Sequence, residues 1–399
     1  MRLTSPHPLL LIPFSKTESI AMTALIFGVT GQMGFYLSQL LLSLNYKVIG
    51  VARRTSVDNT IRLKPFLDNP NFVLEQGDVT DAGSVFRIVN QHQANKVFNL
   101  AAQSHVKVSF DEPQHTAEVN LVGVLNILEA IRLFSPHSRF VQCSTSEMFG
   151  SSYSTKYIRR EGYIADDLFS ASTPSRMAER FNEKYEEIRF QDERTPFLPN
   201  SPYAVAKVGA NHACRLYRES YGLYTSSGIL FNYESEHRGE TFVTRKISKY
   251  VASLKRHLDF CRKSWHEVFF NHPPLCLGNL DAKRDWGYAG DTAKALYLLS
   301  EQSGKPEDFV VATGETHSVR EFLTEAFALI GVSDWTPYVE INQKFCRPCE
   351  VPYLRGESTR IQEKLGWTPS VSFKQLVRIM VEHDCGCKLG CDERNLQQV

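Results

Sequence analysis

The chain has no apolar run long enough to cross a bilayer, no excess of either charge and no paired-cysteine framework. Its longest early apolar stretch, Pro8–Phe14, is interrupted by Pro13, whereas a spanning helix needs about 20 apolar residues. The 45 Lys and Arg residues balance 44 Asp and Glu residues, so no global electrostatic force favours nucleic acid or an anionic membrane. We therefore expect neither as a partner, and an anionic ligand must meet a local basic site.

The nine cysteines are scattered and odd in number, and we recognise no secretory signal. Reduced thiols in a cytoplasmic protein are therefore expected. Cys346 and Cys349 have the spacing of half a zinc site, but no second pair or nearby His stands at ligand spacing, so no metal is predicted. Residues 1–22 are expected to form a disordered leader and residues 385–399 a tail.

From Ala24 to Ser144 short β-branched runs alternate with amphipathic stretches of helix length. Such alternation predicts βαβ crossovers and a doubly wound, Rossmann-type parallel sheet of the α/β class. The predicted strands are Leu25–Gly28, Tyr46–Val51, Asn71–Gln76, Lys96–Leu100 and Phe140–Cys143, with helices at Leu37–Leu44 and Asn120–Leu133.

The pattern fails between Ser151 and Pro199, which predicts an insertion or long loop there. Residues 23–231 are expected to form the first domain, with the insertion within it. Residues 232–384 are expected to form a smaller α/β lobe, with some elements returning to the first domain. Later elements are predicted as a helix at Pro202–Tyr221, a strand at Ser226–Phe231 and helices at Val319–Leu329 and Phe373–His383.

A glycine-rich turn directly follows the first strand and opens a helix. Glycines at that point make a tight turn and let a pyrophosphate approach the helix N-terminus. Three glycines alone also occur in ordinary turns, but their place in the first βα unit favours dinucleotide binding. Cofactor contacts are predicted from Gly28, Val29, Thr30, Gly31, Gln32, Met33 and Gly34.

The second strand ends in Arg53 and Arg54 rather than in an acid. An acid there would bond the ribose 2′-hydroxyl of NAD, whereas arginine pairs with the 2′-phosphate of NADP, so NADP is the predicted cofactor. The alternative is a pair of solvated loop arginines. Further cofactor contacts are predicted where the third and fourth strands end, at Asp78, Val79, Leu100, Ala102, Gln103 and Ser104.

Tyr203 and Lys207 are four residues apart at the start of a predicted helix and therefore share a face. A nearby ammonium is expected to lower the tyrosine pKa and make the phenol a usable base. Thr145 and Glu147 follow the fifth strand. Glu147 adds a carboxylate that can remove a proton next to a ketone, although a turn-capping role is its alternative.

Taken together, these motifs resemble the GDP-mannose 4,6-dehydratases, from about Ala24 to about Asp384. The resemblance is carried by Gly28–Gly34, Arg53-Arg54, Ser144–Gly150, Asn200–Lys207, Gly228–Asn232, Arg238–Lys246, Leu277–Asp281, Arg284–Gly287 and Ala312–Gly314.

The resemblance implies a redox-neutral lyase that holds NADP, acts on GDP-mannose and assembles as a homodimer or homotetramer. Thr145, Tyr203 and Lys207 would serve C4 oxidation, Glu147 would remove the C5 proton, and water would leave across C5 and C6. Residues 23–231 would be the NADP-binding domain and residues 232–384 the substrate-binding lobe. Lys207, Tyr233 and Arg238 are implied as further cofactor contacts. Implied substrate contacts are Ser104, Ser146, Asn232, Arg245, Arg284, Arg347 and Glu350.

The sequence departs from this family at Met33, His115, Tyr233 and Tyr288, and carries apparent insertions within 151–199 and 256–274. Two alternatives therefore stay open. One is another NADP-dependent nucleotide-sugar epimerase or reductase, which would not require Glu147. The other is a catalytically silent homologue that acts as a binding partner.

Overall fold

The computed structural model describes residues 22–159, 185–263, 272–345, 349–351 and 353–389. Most of the predicted leader, the centre of the predicted insertion, Arg347 and the end of the tail lie outside these ranges. The strands are β1 Thr23–Phe27, β2 Lys47–Ala52, β3 Phe72–Gln76, β4 Lys96–Asn99, β5 Arg139–Cys143, β6 Ser154–Arg159, β7 Tyr185–Phe190, β8 Thr225–Leu230, β9 Asn232–Glu234, β10 Leu275–Leu277, β11 Lys283–Arg284, β12 Trp286–Tyr288, β13 Phe309–Val311, β14 His317–Ser318 and β15 Val339–Ile341. The α-helices are α1 Gln32–Ser43, α2 Ala82–His92, α3 Val108–Asp111, α4 Pro113–Ala117, α5 Gly123–Phe134, α6 Pro202–Tyr221, α7 Val243–Lys263, α8 Ala289–Leu299, α9 Val319–Ala328, α10 Thr359–Leu365 and α11 Phe373–Cys385.

Seven strands form the central sheet in the order β3-β2-β1-β4-β5-β8-β13, and all neighbouring pairs are parallel. Apolar residues of α1 and α8 pack on one face of the sheet, and those of α2, α5 and α6 pack on the other. Both faces are therefore buried, as continuous apolar strands require. The predicted doubly wound α/β fold is confirmed.

The helix predicted from Asn120 starts differently in the structure. A π-helical turn, Glu118–Val122, precedes α5. In this turn the Asn120 amide donates to the Gln103 carbonyl at 2.9 Å and its oxygen accepts from the Gln103 N–H at 2.9 Å. The π turn therefore places the Asn120 side chain where it fixes the loop after β4. The spacing of apolar residues alone does not reveal such a turn.

The segment predicted as an insertion or loop contains two strands where it is described. β6 and β7 pair antiparallel, from Ser154 opposite Phe190 to Arg159 opposite Tyr185. The N–H of Gln191 donates to the Arg355 carbonyl at 2.8 Å and joins this strand pair to the segment before α10. The loop prediction was therefore wrong at both ends of the segment, because many charged residues conceal the period of two.

A second apolar cluster lies outside the sheet and is built from α7, α9 and α11. Leu254, Phe322 and Met380 from these helices are completely buried in it, with Trp286 close by. Of the apparent insertion at 256–274, residues 256–263 continue α7, and residues 264–271 lie outside the described chain. Within the described ranges, no helix is both long and apolar enough to cross a membrane.

Candidate active site

A cleft of about 910 Å³ opens at the carboxyl ends of the sheet strands and extends towards β9, β11 and β12. Such an edge is where open parallel sheets bind ligands. Most of the predicted site residues line it: Gly28, Thr30, Gly31, Gln32, Met33, Gly34, Arg53, Asp78, Val79, Leu100, Ala102, Gln103, Ser104, Thr145, Ser146, Glu147, Tyr203, Lys207, Asn232, Tyr233, Arg238, Arg284 and Glu350.

The glycine-rich turn has the geometry that a dinucleotide requires. Gly28 has φ +81°, and a Cβ there would lie 2.6 Å from the Ala101 nitrogen. A Cβ on Gly34 would lie 2.0 Å from the Val29 carbonyl oxygen, so the first helical turn packs directly on the strand end. By contrast, a Cβ on Gly31 would meet only the Gly28 oxygen, at 3.5 Å. Because no described side chain caps α1, its first N–H groups are available to a phosphate.

Three predicted contacts are not brought to the cleft wall. The Val29 side chain is completely buried, so it cannot contact a ligand in the cleft. Arg54 does not line the cleft although Arg53 does. Arg245 points between α7 and α11, where its Nη2 lies 2.8 Å from Asp384 Oδ1. Arg347, the third arginine of the predicted substrate set, lies outside the described residues.

The structure also brings Arg62 to the cleft, which the sequence did not predict. Its Nη1 donates to the Thr30 carbonyl at 3.2 Å and its Nε to the His237 carbonyl at 3.0 Å. The side chain therefore ties the glycine-rich turn to the loop after β9. No motif marked this arginine, because its partners are main-chain carbonyls far away in sequence.

The four predicted catalytic side chains meet in the cleft because β5 ends where α6 begins. Ser201 caps α6 by accepting from the Ala204 N–H at 3.1 Å, which places Tyr203 in the first turn. Lys207 follows one turn later, and its Nζ donates to the Cys143 carbonyl at 2.8 Å. Beyond the end of β5, the Thr145 hydroxyl accepts from the N–H of Glu147 at 3.2 Å. All four side chains are buried.

The electrostatics correct the expectation that Lys207 lowers the pKa of Tyr203. Burial raises the pKa of Tyr203 well above its usual value and outweighs the hydrogen bond from Thr145 and the charge of Arg238, which both lower it. Burial also lowers the pKa of Lys207. The Lys207 ammonium binds the Cys143 carbonyl and lies 5.9 Å from the centre of the Tyr203 ring.

At the other end of the cleft, two predicted substrate contacts bind each other. Arg284 Nη2 lies 2.8 Å from Glu350 Oε1, and the arginine side chain is almost fully buried. Asn232 is held close by because β9 pairs with β12, with Asn232 opposite Trp286. Among the described residues, no group of three or more His, Cys, Asp or Glu side chains is arranged to hold a metal.

Comparison with known proteins identifies the relatives of this chain. Residues 24–312 match the model of the NAD dependent epimerase/dehydratase family. A GDP-mannose 4,6 dehydratase from Arabidopsis thaliana is 41% identical over 371 residues, which cover 90% of this chain and 86% of the relative. The human GDP-mannose 4,6 dehydratase is 39% identical over 385 residues, with coverages of 90% and 91%. These relatives confirm the resemblance seen in the motifs.

Solved structures share the architecture at lower sequence identity. The UDP-glucose 4-epimerase of Thermus thermophilus, solved with NAD, has a TM-score of 0.68 and 24% identity, and the match covers 92% of this chain and 99% of that one. A dTDP-glucose 4,6-dehydratase of Streptomyces venezuelae, solved with NAD, has a TM-score of 0.67 and 23% identity, with coverages of 90% and 96%. At these identities the likeness shows the fold.

Proposed function

The chain belongs to the NAD dependent epimerase/dehydratase family and, within it, to the GDP-mannose 4,6-dehydratases, and we propose that it is a hydro-lyase converting GDP-mannose to GDP-4-keto-6-deoxymannose. The observation that carries the proposal is the meeting of Glu147 with Thr145, Tyr203 and Lys207 in one cleft. An alcohol oxidation needs only the last three. The added carboxylate is what an elimination requires.

A nicotinamide dinucleotide fits the first end of the cleft, since the turn at Gly28–Gly34 leaves open space at Gly31 and N–H groups at the start of α1. We propose NADP, because Arg53 lines the cleft where β2 ends and no acid accompanies it. When bound, this cofactor supplies the redox chemistry by accepting the C4 hydride and returning it at C6. Arg62 would hold the turn against the loop after β9.

The chain's own groups would move the protons. Tyr203 takes the proton of the sugar 4-hydroxyl, and Thr145 and Arg238 ease that transfer because both lower its pKa against the effect of burial. Lys207 keeps α6 in place through the Cys143 carbonyl and presents its charge to the same region. Glu147 then removes the C5 proton, which the 4-keto group makes acidic, and the 6-hydroxyl takes up a proton and leaves as water, so that a C5–C6 double bond forms. When the hydride returns to C6, C5 takes up a proton again, which gives the 4-keto-6-deoxy product.

GDP-mannose would be contacted by Ser104, Ser146, Asn232, Arg284 and Glu350, with its diphosphate at the opposite end of the cleft near Arg284. Arginine suits a diphosphate because its planar fork bonds two oxygens. We further propose that residues 23–231 form the cofactor domain and residues 232–384 the substrate lobe, from which β13 and α8 return to the central sheet. The protein would act in the cytoplasm as a homodimer or homotetramer.

The test is incubation of the purified protein with GDP-mannose and NADP⁺, followed by mass analysis of the nucleotide sugar. Loss of one water without accumulation of NADPH is the expected result. Steady NADPH production would instead show a dehydrogenase, and an isomer of unchanged mass would show an epimerase. Absence of turnover despite cofactor binding would show a silent homologue.

A further inference from the structure

Asp285 is completely buried between Arg284 and Trp286, two residues that line the substrate end of the cleft. Its carboxylate accepts four hydrogen bonds. Oδ1 accepts from the Thr313 N–H at 2.9 Å and from the Thr313 hydroxyl at 2.7 Å. Oδ2 accepts from the Gly314 N–H at 3.0 Å and from the Gly356 N–H at 3.1 Å. One side chain therefore joins three segments that are distant in sequence.

Those segments surround the backbone of β11. The Leu354 N–H donates to the Lys283 carbonyl at 3.2 Å, and the Thr316 hydroxyl donates to the Leu354 carbonyl at 3.0 Å. Arg355 Nε donates to the Gly314 carbonyl at 2.7 Å. The segment leading to Gly356 also contains Glu350, the partner of Arg284. Arg284 is thus fixed in two ways. Glu350 binds its guanidinium, and the hydrogen bonds of the adjacent Asp285 hold its backbone.

Oxygen acceptors suit this point because all four partners donate to them. Replacing the carboxylate with an amide puts an NH₂ group against at least one N–H group and leaves a buried donor unsatisfied. The segments cannot move apart to admit water without losing close packing, since a Cβ on Gly356 would lie 2.1 Å from the Ala312 Cβ. An arginine held in one position before binding loses less conformational freedom when it meets its anion.

We propose that Asp285 is a positioning residue for substrate binding, which holds β11 against Thr313, Gly314 and Gly356 so that Arg284 is presented to the diphosphate of the nucleotide sugar. The proposal rests on the function proposed above. It assigns Asp285 to binding of the diphosphate and gives it no part in the chemistry at C4 and C5.

Asp291 provides a matched control. It is also a buried carboxylate that anchors a distant segment, since it accepts from the Ser370 and Val371 N–H groups at 2.8 and 3.2 Å and from the Ser370 hydroxyl at 2.6 Å. None of these three residues lines the cleft. Loss of Asp291 therefore tests what the removal of a buried anchoring carboxylate does by itself.

The experiment compares Asp285→Asn, the milder Thr313→Val and the control Asp291→Asn for GDP-mannose turnover, for GDP and NADP⁺ binding by calorimetry, and for thermal unfolding. Asp285→Asn should raise the KM and the GDP dissociation constant by roughly tenfold, the size expected when a charge-assisted anchor is lost. Thr313→Val should raise both by a smaller factor. Neither Asp285→Asn nor Thr313→Val should change kcat or the NADP⁺ affinity by more than about twofold, because neither residue contacts the reacting atoms or the cofactor.

Asp291→Asn should lower the unfolding temperature and leave the KM and GDP affinity unchanged. If Asp285→Asn and Thr313→Val also change only the unfolding temperature, Asp285 is merely structural and the inference is wrong. If Asp285→Asn fails to fold, the KM and the GDP dissociation constant of Thr313→Val test the proposal instead. Wild-type protein that binds GDP but does not dehydrate GDP-mannose would refute the proposed function alone, and the GDP constants of the variants would still decide the role of Asp285.

Discussion

At the scale of single residues, the site depends on groups whose roles differ although they lie together. Tyr203 and Lys207 come from one helix face, a relationship that spacing predicted. Arg62 and Asp285 escaped prediction because most of their partners are main-chain groups from remote segments, which no local pattern encodes. A residue that positions others through the backbone is thus harder to find from sequence than one that acts through its own side-chain motif.

Glu147 separates elimination from alcohol oxidation. Glu147→Gln keeps the shape of the side chain but removes the base, so dehydration should slow by about 10²–10⁴, the usual worth of general-base assistance. C4 oxidation should survive, and a single turnover should still form NADPH. Solvent deuterium should enter C5 rapidly in the wild type and slowly in the variant. Glu363→Gln, at an exposed position of α10, is the control, and wild-type dehydration by Glu147→Gln would contradict the assignment.

Arg53 and Arg54 offer a matched pair for cofactor choice, because only Arg53 lines the cleft. Arg53→Ala should weaken NADP⁺ binding by roughly 10- to 100-fold, as expected for loss of a hydrogen bond between charged groups, and leave NAD⁺ binding nearly unchanged. Arg54→Ala should change neither constant. Calorimetric titration of both variants with both cofactors measures this. If Arg53→Ala and Arg54→Ala weaken NADP⁺ binding equally, lining the cleft is not what decides which arginine contacts the cofactor.

At the scale of elements, the sequence predicted six of the seven sheet strands to within about two residues, because each is a short apolar run between turn signals. The seventh, β13, was not predicted. The limits of α6 were predicted correctly, since Pro202 follows a capping Ser201 and Gly222 follows its last residue. The π turn before α5 and the β6–β7 strand pair were missed. Both depend on contacts with distant residues, Gln103 for the first and Arg355 for the second.

The cap of α6 links element stability to catalysis. Ser201→Ala removes the acceptor for the Ala204 N–H and should cost about 1 kcal/mol of unfolding free energy. Because the frayed turn contains Tyr203, kcat should fall as well. Ser372→Ala removes the corresponding cap of α11, outside the cleft, and should cost a similar free energy without affecting kcat. Denaturant unfolding and steady-state kinetics measure both variants. If Ser201→Ala and Ser372→Ala have the same kcat, the cap of α6 does not affect catalysis by Tyr203.

At the scale of the whole molecule, two kinds of carboxylate respond to pH in opposite directions. Pairing with Lys364 lowers the pKa of Glu307, and pairing with Lys249 lowers that of Glu240. Such groups add stability above their unfolded pKa and lose it as the pH falls through the folded value. Both lie near the surface, so their contribution is small and weakens further with salt.

Asp285 belongs to the other kind. Burial raises its pKa to about 6, although the bonds from Thr313, Gly356 and Gly314 oppose the rise. The folded pKa of Asp285 lies above its unfolded pKa of about 3.9. The stability that protonation of Asp285 adds is therefore fully present below the unfolded pKa and is lost as the pH rises through the folded pKa. The unfolding free energy of the wild type relative to Asp285→Asn should therefore decrease from about pH 4 to about pH 7 and then stay constant. Denaturant unfolding of both proteins across that range measures the difference, and a difference that grows with pH would show that the four donors hold the carboxylate ionised throughout.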